Sequence, residues 1–231
     1  MAGPHARVNR SGRSAAVASW RCMVQQETKD TIPLWLAVAI TVVVSLPFGV
    51  WLGSWNIPIW ASFIVWAEYF ALGAKPEALR TMVPAYTLGV VAATIIMVGY
   101  MLTSKAFGTG NILTVGDFSF TLDNFALGLA CFVGFCIFIY GMKFVPVTQT
   151  GSLPYFNGIS MMLGVFFTGA FSHAITGSLD AAILAPVVAG IGAWLAGMLG
   201  AFLGWFNVTI MFTHPVAQQP KTSTGHQPMA A

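Results

Sequence analysis

Charged side chains are the scarcest feature of this sequence. Lys, Arg, Asp and Glu make up 7% of its 231 residues, whereas a soluble domain of ordinary composition carries about 25%. So little charge cannot cover a water-soluble domain of this size, and it excludes a nucleic-acid binder with a basic face. Because 57% of the residues are hydrophobic, a disordered chain is excluded as well, and the composition indicates an integral membrane protein.

Cysteines and catalytic signatures are also scarce. Cys22, Cys131 and Cys136 are an odd number, and their spacing supports neither a disulfide framework nor a zinc knuckle. The four histidines are scattered, and the sequence contains no metal-ligand spacing, nucleophile elbow or phosphate-cradling glycine-rich loop. We therefore predict no catalytic residue, no metal site and no cofactor, and we interpret the protein as not an enzyme.

Six apolar windows are each close to the ~20 residues that a helix needs to cross the bilayer. They are residues 34–53, 58–74, 82–103, 124–144, 153–171 and 181–206. We therefore predict an all-α membrane protein whose residues 31–208 form a six-transmembrane-helix bundle. Residues 1–30 are predicted to be a disordered basic tail and residues 209–231 a second disordered tail. The acid-poor start is also typical of an organelle transit peptide, but we favour a cytoplasmic tail or a start codon misplaced upstream of Met23.

The basic residues predict the orientation of these crossings. With six spans and both termini in the cytoplasm, only Lys105 lies outside, in agreement with the positive-inside rule. The inner set is Arg7, Arg10, Arg13, Arg21, Lys29, Lys75, Arg80, Lys143 and Lys221.

The outer loop between the third and fourth spans contains a strand-like pattern. Residues 112–115 and 118–121 flank Gly116 and Asp117, which predicts a small extracytoplasmic β-hairpin. Such a hairpin would act either as a lid or as a packed plug.

The second and fifth spans share a pattern. Pro58 precedes Gly73 by fifteen residues, and Pro154 precedes Gly169 by the same number. With three spans per unit, the second unit would be upside down, which predicts a 3+3 inverted repeat whose central spans border a substrate route. Repeated use of abundant residues is the competing explanation.

Small residues form stripes along the sixth span. Gly197, Gly200 and Gly204 would allow another helix to approach closely. The stripes favour packing within the subunit, and a homo-oligomer through these three glycines is the alternative.

Polar residues within the spans are the candidates for function. Glu68 is the only acidic residue inside a span, so it is expected to face protein, water or a cation, or to pair with Lys75 or Arg80. On the fifth span, Asn157, Ser160 and Thr168 share one face with a glycine between them, and they could hydrogen-bond a solute or a neighbouring helix.

The segment from Pro33 to about Trp205 resembles a known family. The resemblance rests on Pro-Leu-Trp-Leu-Ala-Val-Ala-Ile-Thr at 33–41, on Trp-Ala-Ser-Phe at 60–63 followed by Tyr-Phe-Ala at 69–71, and on a late Phe-x-x-Gly before a small-residue-rich final span. These pieces resemble the bacterial YcdZ-like inner-membrane proteins, the domain-of-unknown-function 1097 family. The resemblance implies a multi-pass protein of the bacterial inner membrane with no assigned activity. It also implies a small residue where this chain has Glu68, so no family role passes to that carboxylate.

Two functions remain in competition. The leading hypothesis is a transporter or channel for a small, neutral or weakly charged polar solute, because few charges lie inside the spans. The polar contacts along its path are predicted to come from Glu68, Tyr69, Asn157, Ser160 and Thr168. The alternative is a non-transporting membrane scaffold or accessory subunit that binds a partner protein. Under both hypotheses we expect the protein to contact the lipid bilayer and not to bind nucleic acid.

Overall fold

The computed structural model describes residues 28–29, 31–106, 122–171, 179–211 and 214–215. Seven α-helices lie within these ranges, together with two 3₁₀ turns at Gly53–Trp55 and Met142–Phe144. The helices are α1 (Leu34–Val50), α2 (Ile59–Ala71), α3 (Pro76–Ala106), α4 (Leu122–Gly141), α5 (Pro146–Thr150), α6 (Ser152–Thr168) and α7 (Leu179–Ile210). α-Helices therefore make up most of the described part of the chain, and each of its two strands has two residues.

Prolines and glycines set the ends of several helices. Pro76 and Pro146 occupy the first positions of α3 and α5, where the missing N–H of proline costs nothing and its fixed φ suits a helix. α6 ends at Gly169, which has a φ of 64° and donates its N–H to the carbonyl of Phe166. Glycine is the usual residue at such a left-handed helix end.

Six of the seven helices fall on the six windows predicted from the sequence. Three stretches are long and apolar enough to cross a membrane, Pro76–Thr103 in α3, Leu127–Phe144 in α4 and the 3₁₀ turn that follows it, and Leu184–Ile210 in α7. Leu34–Val50 and Ile59–Ala71 are shorter apolar helices. The structure thus gives an all-helical protein with three candidate spans among the described residues. The hairpin predicted at residues 112–121 lies outside those residues.

One compact unit comprises residues Trp35–Ile210, and its core lies between α2, α3, α6 and α7. The core is built largely from small and flexible side chains, among them Ala61, Ala93, Met97, Met162 and Ala193. These four helices can approach closely because the side chains between them are small.

Contacts between the core helices show their relative directions. Ser62 and Tyr69 on α2 lie against Gly200 and Gly204 on α7, so these two helices run the same way. α3 and α6 also run the same way, because Ala85 lies against Gly151, which directly precedes α6, and Gly89 lies against Tyr155.

The two longest helices run in opposite directions. Tyr86 on α3 lies against Gly197 on α7, whereas Thr94, further along α3, lies against Gly190. The core therefore contains two parallel pairs, α2 with α7 and α3 with α6, that point in opposite directions.

α4 lies at the edge of this unit. It has apolar side chains at its surface, including Phe132 at 68% exposure, Ile137 at 62% and Tyr140 at 60%. Such a surface is not stable in water, and it fits contact with lipid or with another protein.

The other unit comprises the two chain ends, residues 1–34 and 211–231. Its described part contains strands β1 (Thr28–Lys29) and β2 (His214–Pro215), which pair antiparallel. The backbone N–H groups of Thr31 and Ile32 donate to the carbonyl of Met211 at 3.0 and 3.3 Å. The residues just before α1 are thus bonded to the residue just after α7.

Candidate functional site

Glu68 is buried in the helical core. It lies on α2, three residues before the end of that helix, and is 3% exposed. Its Oε2 accepts a hydrogen bond of 2.9 Å from Nδ2 of Asn157 on α6. Its Oε1 has no hydrogen-bond partner. A buried carboxyl group with half of its hydrogen-bonding capacity unused is unusual, because buried polar atoms are normally paired.

The carboxyl group has no cationic partner among the described residues. Lys75 and Arg80, the two basic residues closest in sequence, are both exposed. The sequence left two uses open for Glu68, a structural ion pair and a proton or cation site. Among the described residues, the structure shows an amide partner and no ion pair.

Tyr69 is fully buried but turns to a different neighbour. Its ring lies against Gly204 on α7, and its hydroxyl group has no hydrogen-bond partner. Neighbouring residues on a helix point about 100° apart, so Tyr69 faces α7 while Glu68 reaches α6.

The other two predicted path residues lie on the outside of α6. Ser160 and Thr168 are both exposed, and Thr168 donates to the carbonyl of Gly164 on its own helix at 2.7 Å. Gly164 lies against the ring of Trp60. Of the five residues, the structure brings Glu68 and Asn157 together and leaves Ser160 and Thr168 away from them.

Two more polar groups on α2 were not singled out from the sequence. Ser62 Oγ and Trp66 Nε1 are buried without hydrogen-bond partners. Together with Tyr69 they recur at spacings of four and three residues, which places them on one face of the helix. That spacing could have indicated the polar face, but a serine and a tryptophan in an apolar helix are also common packing residues.

A second polar contact joins α1 to α7. Nδ2 of Asn207 donates to Oγ1 of Thr41 at 3.0 Å, and Oγ1 of Thr41 donates to the carbonyl of Ala37. Asn207 Oδ1 has no hydrogen-bond partner. This contact lies beside a small apolar cluster of Trp66, Leu199 and Leu203 that α1 covers.

The three glycines offered for an oligomer contact lie against residues of the same chain. A Cβ atom added at Gly197, Gly200 or Gly204 would overlap Tyr86, Ser62 or Tyr69, respectively. These glycines serve packing within the subunit, because their small size admits α2 and α3. A homo-oligomer stays a prediction and would have to use another surface.

An apolar groove lies elsewhere, between α3 and α7. Its volume is about 280 Å³, and it is lined by Val90, Val91, Thr94, Ile95, Val187, Gly190, Ile191 and Trp194. It does not include Glu68 or Asn157. Within the described residues no three His, Cys, Asp or Glu side chains are grouped as metal ligands, and Cys131 and Cys136 are free.

Three apolar helices of membrane-spanning length, in a chain that also contains a buried carboxyl–amide pair, define a membrane-type helical protein. The chain belongs to the family described as "Protein of unknown function (DUF1097)", whose model matches residues 31–177. The match includes Glu68 and Asn157 and ends before α7. No curated protein and no solved structure matches the chain.

Proposed function

We propose that this protein is a transporter or channel for a small, neutral or weakly charged solute in the bacterial inner membrane, with its path at Glu68 and Asn157. The observation that carries the proposal is the buried Glu68 carboxyl, which bonds an amide through one oxygen and leaves the other unpartnered. A carboxyl group inside a membrane helix is costly, and such groups by default belong to substrate or ion routes. The neutral partner fits a cargo without strong charge.

Six crossings with both termini in the cytoplasm agree with two features. Each predicted window contains one apolar helix. The backbone bonds from Thr31 and Ile32 to Met211 also join the residues just before α1 to the residue just after α7. Chain ends that are bonded to each other agree with an even number of crossings.

The directions of the core helices support an inverted repeat. Such a repeat would match α2 with α6 and α3 with α7. It would therefore match the parallel pair formed by α2 and α7 with the parallel pair formed by α6 and α3. In each pair a glycine of the longer helix lies against a backbone carbonyl of the shorter one, Gly200 against Ser62 and Gly89 against Tyr155. Tyr86 and Gly197 meet where the two long helices cross. Inverted repeats of this kind are common in transporters.

A flux measurement tests the proposal. Solutes are first found by a thermal-shift screen of the purified protein against small metabolites, because a bound ligand raises apparent stability by mass action. Uptake of the best solute into proteoliposomes is then compared between the natural protein and Glu68→Gln, which keeps the shape of the side chain. We expect at least a tenfold change in uptake.

Glu77→Gln is the matched control, since Glu77 is exposed in the first turn of α3. Its uptake should equal that of the natural protein. Equal uptake by Glu68→Gln and the natural protein would remove Glu68 from the path.

A scaffold function is the second candidate, and the exposed face of α4 favours it. Phe132, Ile137 and Tyr140 could bind a partner membrane protein instead of lipid. Substituting Phe132 and Ile137 by Ala should then release a co-purifying partner while the thermal stability stays the same. If no protein co-purifies with the natural chain, the scaffold hypothesis is refuted.

A further inference from the structure

The partner of Glu68 can bond a carboxyl group in either charge state. In the structure Nδ2 of Asn157 donates to Oε2 of Glu68, which suits a carboxylate because a carboxylate only accepts. An asparagine side chain also carries an acceptor oxygen. If the amide turns by half a rotation, its Oδ1 can accept a hydrogen bond from a protonated carboxyl group. A lysine or arginine in the same place has no acceptor for the O–H of a protonated carboxyl group, and its positive charge would favour the carboxylate.

The groups around Glu68 do not hold it in one charge state. Tyr86 on α3 is an ionisable side chain close enough to Glu68 to interact with it electrostatically, whereas Tyr69 turns towards α7. Tyr86 donates its hydroxyl to the carbonyl of Ala193. Residues 34–50 of α1, 127–139 of α4 and 184–210 of α7 contain no acidic or basic residue.

Charged groups near the end of α2 lie in exposed positions. Lys75, Glu77 and Arg80 are exposed, so water screens them from the core. A cation against the carboxyl would favour its charged form. Since the described residues place none there, no neighbouring cation fixes Glu68 in its charged form.

The geometry favours a proton over a metal cation. A hard cation needs several oxygen ligands at once, whereas Glu68 offers one unpartnered oxygen and a bonded one. The described residues contain no group of three or more His, Cys, Asp or Glu side chains that could hold a metal ion. A proton needs one oxygen only.

Water comes close to the carboxyl at one end of α2. Glu68 precedes the last helical residue, Ala71, by three positions, which is about 5 Å along the axis. Leu72 and Lys75 in the following turn are exposed. The distance from this exposed turn to the Glu68 carboxyl is therefore short.

We propose that Glu68 is a proton-binding site, that Asn157 is positioned to bond its carboxyl in both charge states, and that solute movement is coupled to this proton. The coupling rests on the proposed function, whereas proton binding does not. In the binding step a proton from water forms an O–H bond with the carboxylate, and in the release step the same bond breaks and the proton returns to water.

Infrared difference spectroscopy tests proton binding directly. The purified full-length protein in lipid vesicles is stepped between acidic and alkaline pH, and the carbonyl stretch of protonated carboxyl groups is recorded. We expect a band that appears at acidic pH in the natural protein and in Glu77→Gln and is missing in Glu68→Gln. In Asn157→Leu the band should persist at a shifted frequency, because the amide that bonds the carboxyl has been removed.

Two results would overturn proton binding. One is a natural protein whose pH-difference spectrum equals that of Glu68→Gln. The other is a Glu68 band that changes with sodium or potassium concentration at constant pH, which would identify a metal cation as the ligand. Size-exclusion chromatography of each variant confirms that it is folded, and the Asn157 variant provides a second readout if Glu68→Gln is unstable.

The coupling has its own measurement. With a solute identified in the screen, uptake by the natural protein should follow an imposed pH gradient, and uptake by Glu68→Gln should not. If uptake does not depend on the pH gradient although the infrared band changes with pH, the coupling is refuted and proton binding is not. A titrating band without uptake of any solute would refute the proposed function and leave the proton site in place.

Discussion

Two asparagines join helices through their side chains inside the core. Asn157 bonds Glu68, and Asn207 bonds Thr41. Hydrogen bonds between membrane helices contribute about 0.6 kcal/mol on average and up to about 1.7 kcal/mol. Removing one partner costs more than the bond itself when the other is left buried and unpaired. These contacts therefore fix which faces of the helices meet.

Thr41→Val tests the second contact at the scale of one residue. Valine has nearly the same shape as threonine, but it cannot accept the hydrogen bond from Asn207, whose amide would then be buried without any partner. We expect a loss of about 1–2 kcal/mol in the free energy of unfolding. The measurement is thermal unfolding of the purified protein in detergent.

Thr209→Val provides the control for that substitution. Thr209 is exposed and donates only to the carbonyl of Trp205 on its own helix. Its replacement should change stability by no more than about 0.5 kcal/mol. Equal losses in the two variants would show that the contact between Thr41 and Asn207 contributes nothing.

The sequence identifies Glu68 as a candidate site residue, but it does not show which residue Glu68 bonds. A lone carboxylate in an apolar helix stands out by itself, and Asn157 stands out as part of a polar face. Nothing in a single sequence links two residues that are 89 positions apart. Ser160 and Thr168 show the limit of helical periodicity: they share a face with Asn157 in the sequence, yet they lie beyond the core.

At the scale of helices, the crossing of α3 and α6 depends on two reciprocal glycines. A Cβ at Gly89 would overlap the carbonyl oxygen of Tyr155, and a Cβ at Gly158 would overlap that of Tyr86. Each glycine thus lies against the backbone of the opposite helix. Backbone atoms cannot move aside without separating the helices, so the crossing tolerates no larger residue.

Gly89→Ala is expected to destabilise this crossing. The added methyl group meets rigid backbone, and overpacking of this kind costs about 1–3 kcal/mol. Gly99→Ala on the same helix has nothing within 4 Å of the new methyl group, and it should be neutral or stabilising by up to about 1 kcal/mol because alanine favours a helix. Thermal unfolding should separate the two variants, and equal midpoints would contradict the packing described here.

Helix positions could be predicted well from the sequence because they follow local rules. An apolar window predicts a helix from neighbouring residues alone. Pro76 at the start of α3 and Gly169 at the end of α6 likewise affect only the residues next to them. The pairing of α3 with α6 could not be predicted, since it depends on which glycines face each other in space. The stripe of Gly197, Gly200 and Gly204 indicated close packing correctly, but the sequence did not show that α2 and α3 were its partners.

At the scale of the whole molecule, the bond between the two ends limits the topology. Thr31 and Ile32 bond Met211, and Thr28–Lys29 pairs with His214–Pro215. The proposed six crossings would likewise put both ends in one compartment. The distribution of Lys and Arg predicts that this compartment is the cytoplasm.

Reporter fusions test this topology. A reporter that fluoresces only in the cytoplasm should be bright when it is fused to either terminus. The same reporter inserted between α3 and α4 should be dark, because that connection is expected on the opposite side. One bright and one dark terminus would refute six crossings and the inverted repeat together.

The paired ends also mean that the chain has no obligatory starting point. A short linker between β2 and β1, in place of the terminal segments, would close the polypeptide into a ring. The ring could then be opened between α3 and α4, giving a circular permutant in which α4–α7 is synthesised before α1–α3. If that permutant folds, the two halves can enter the bilayer in either order.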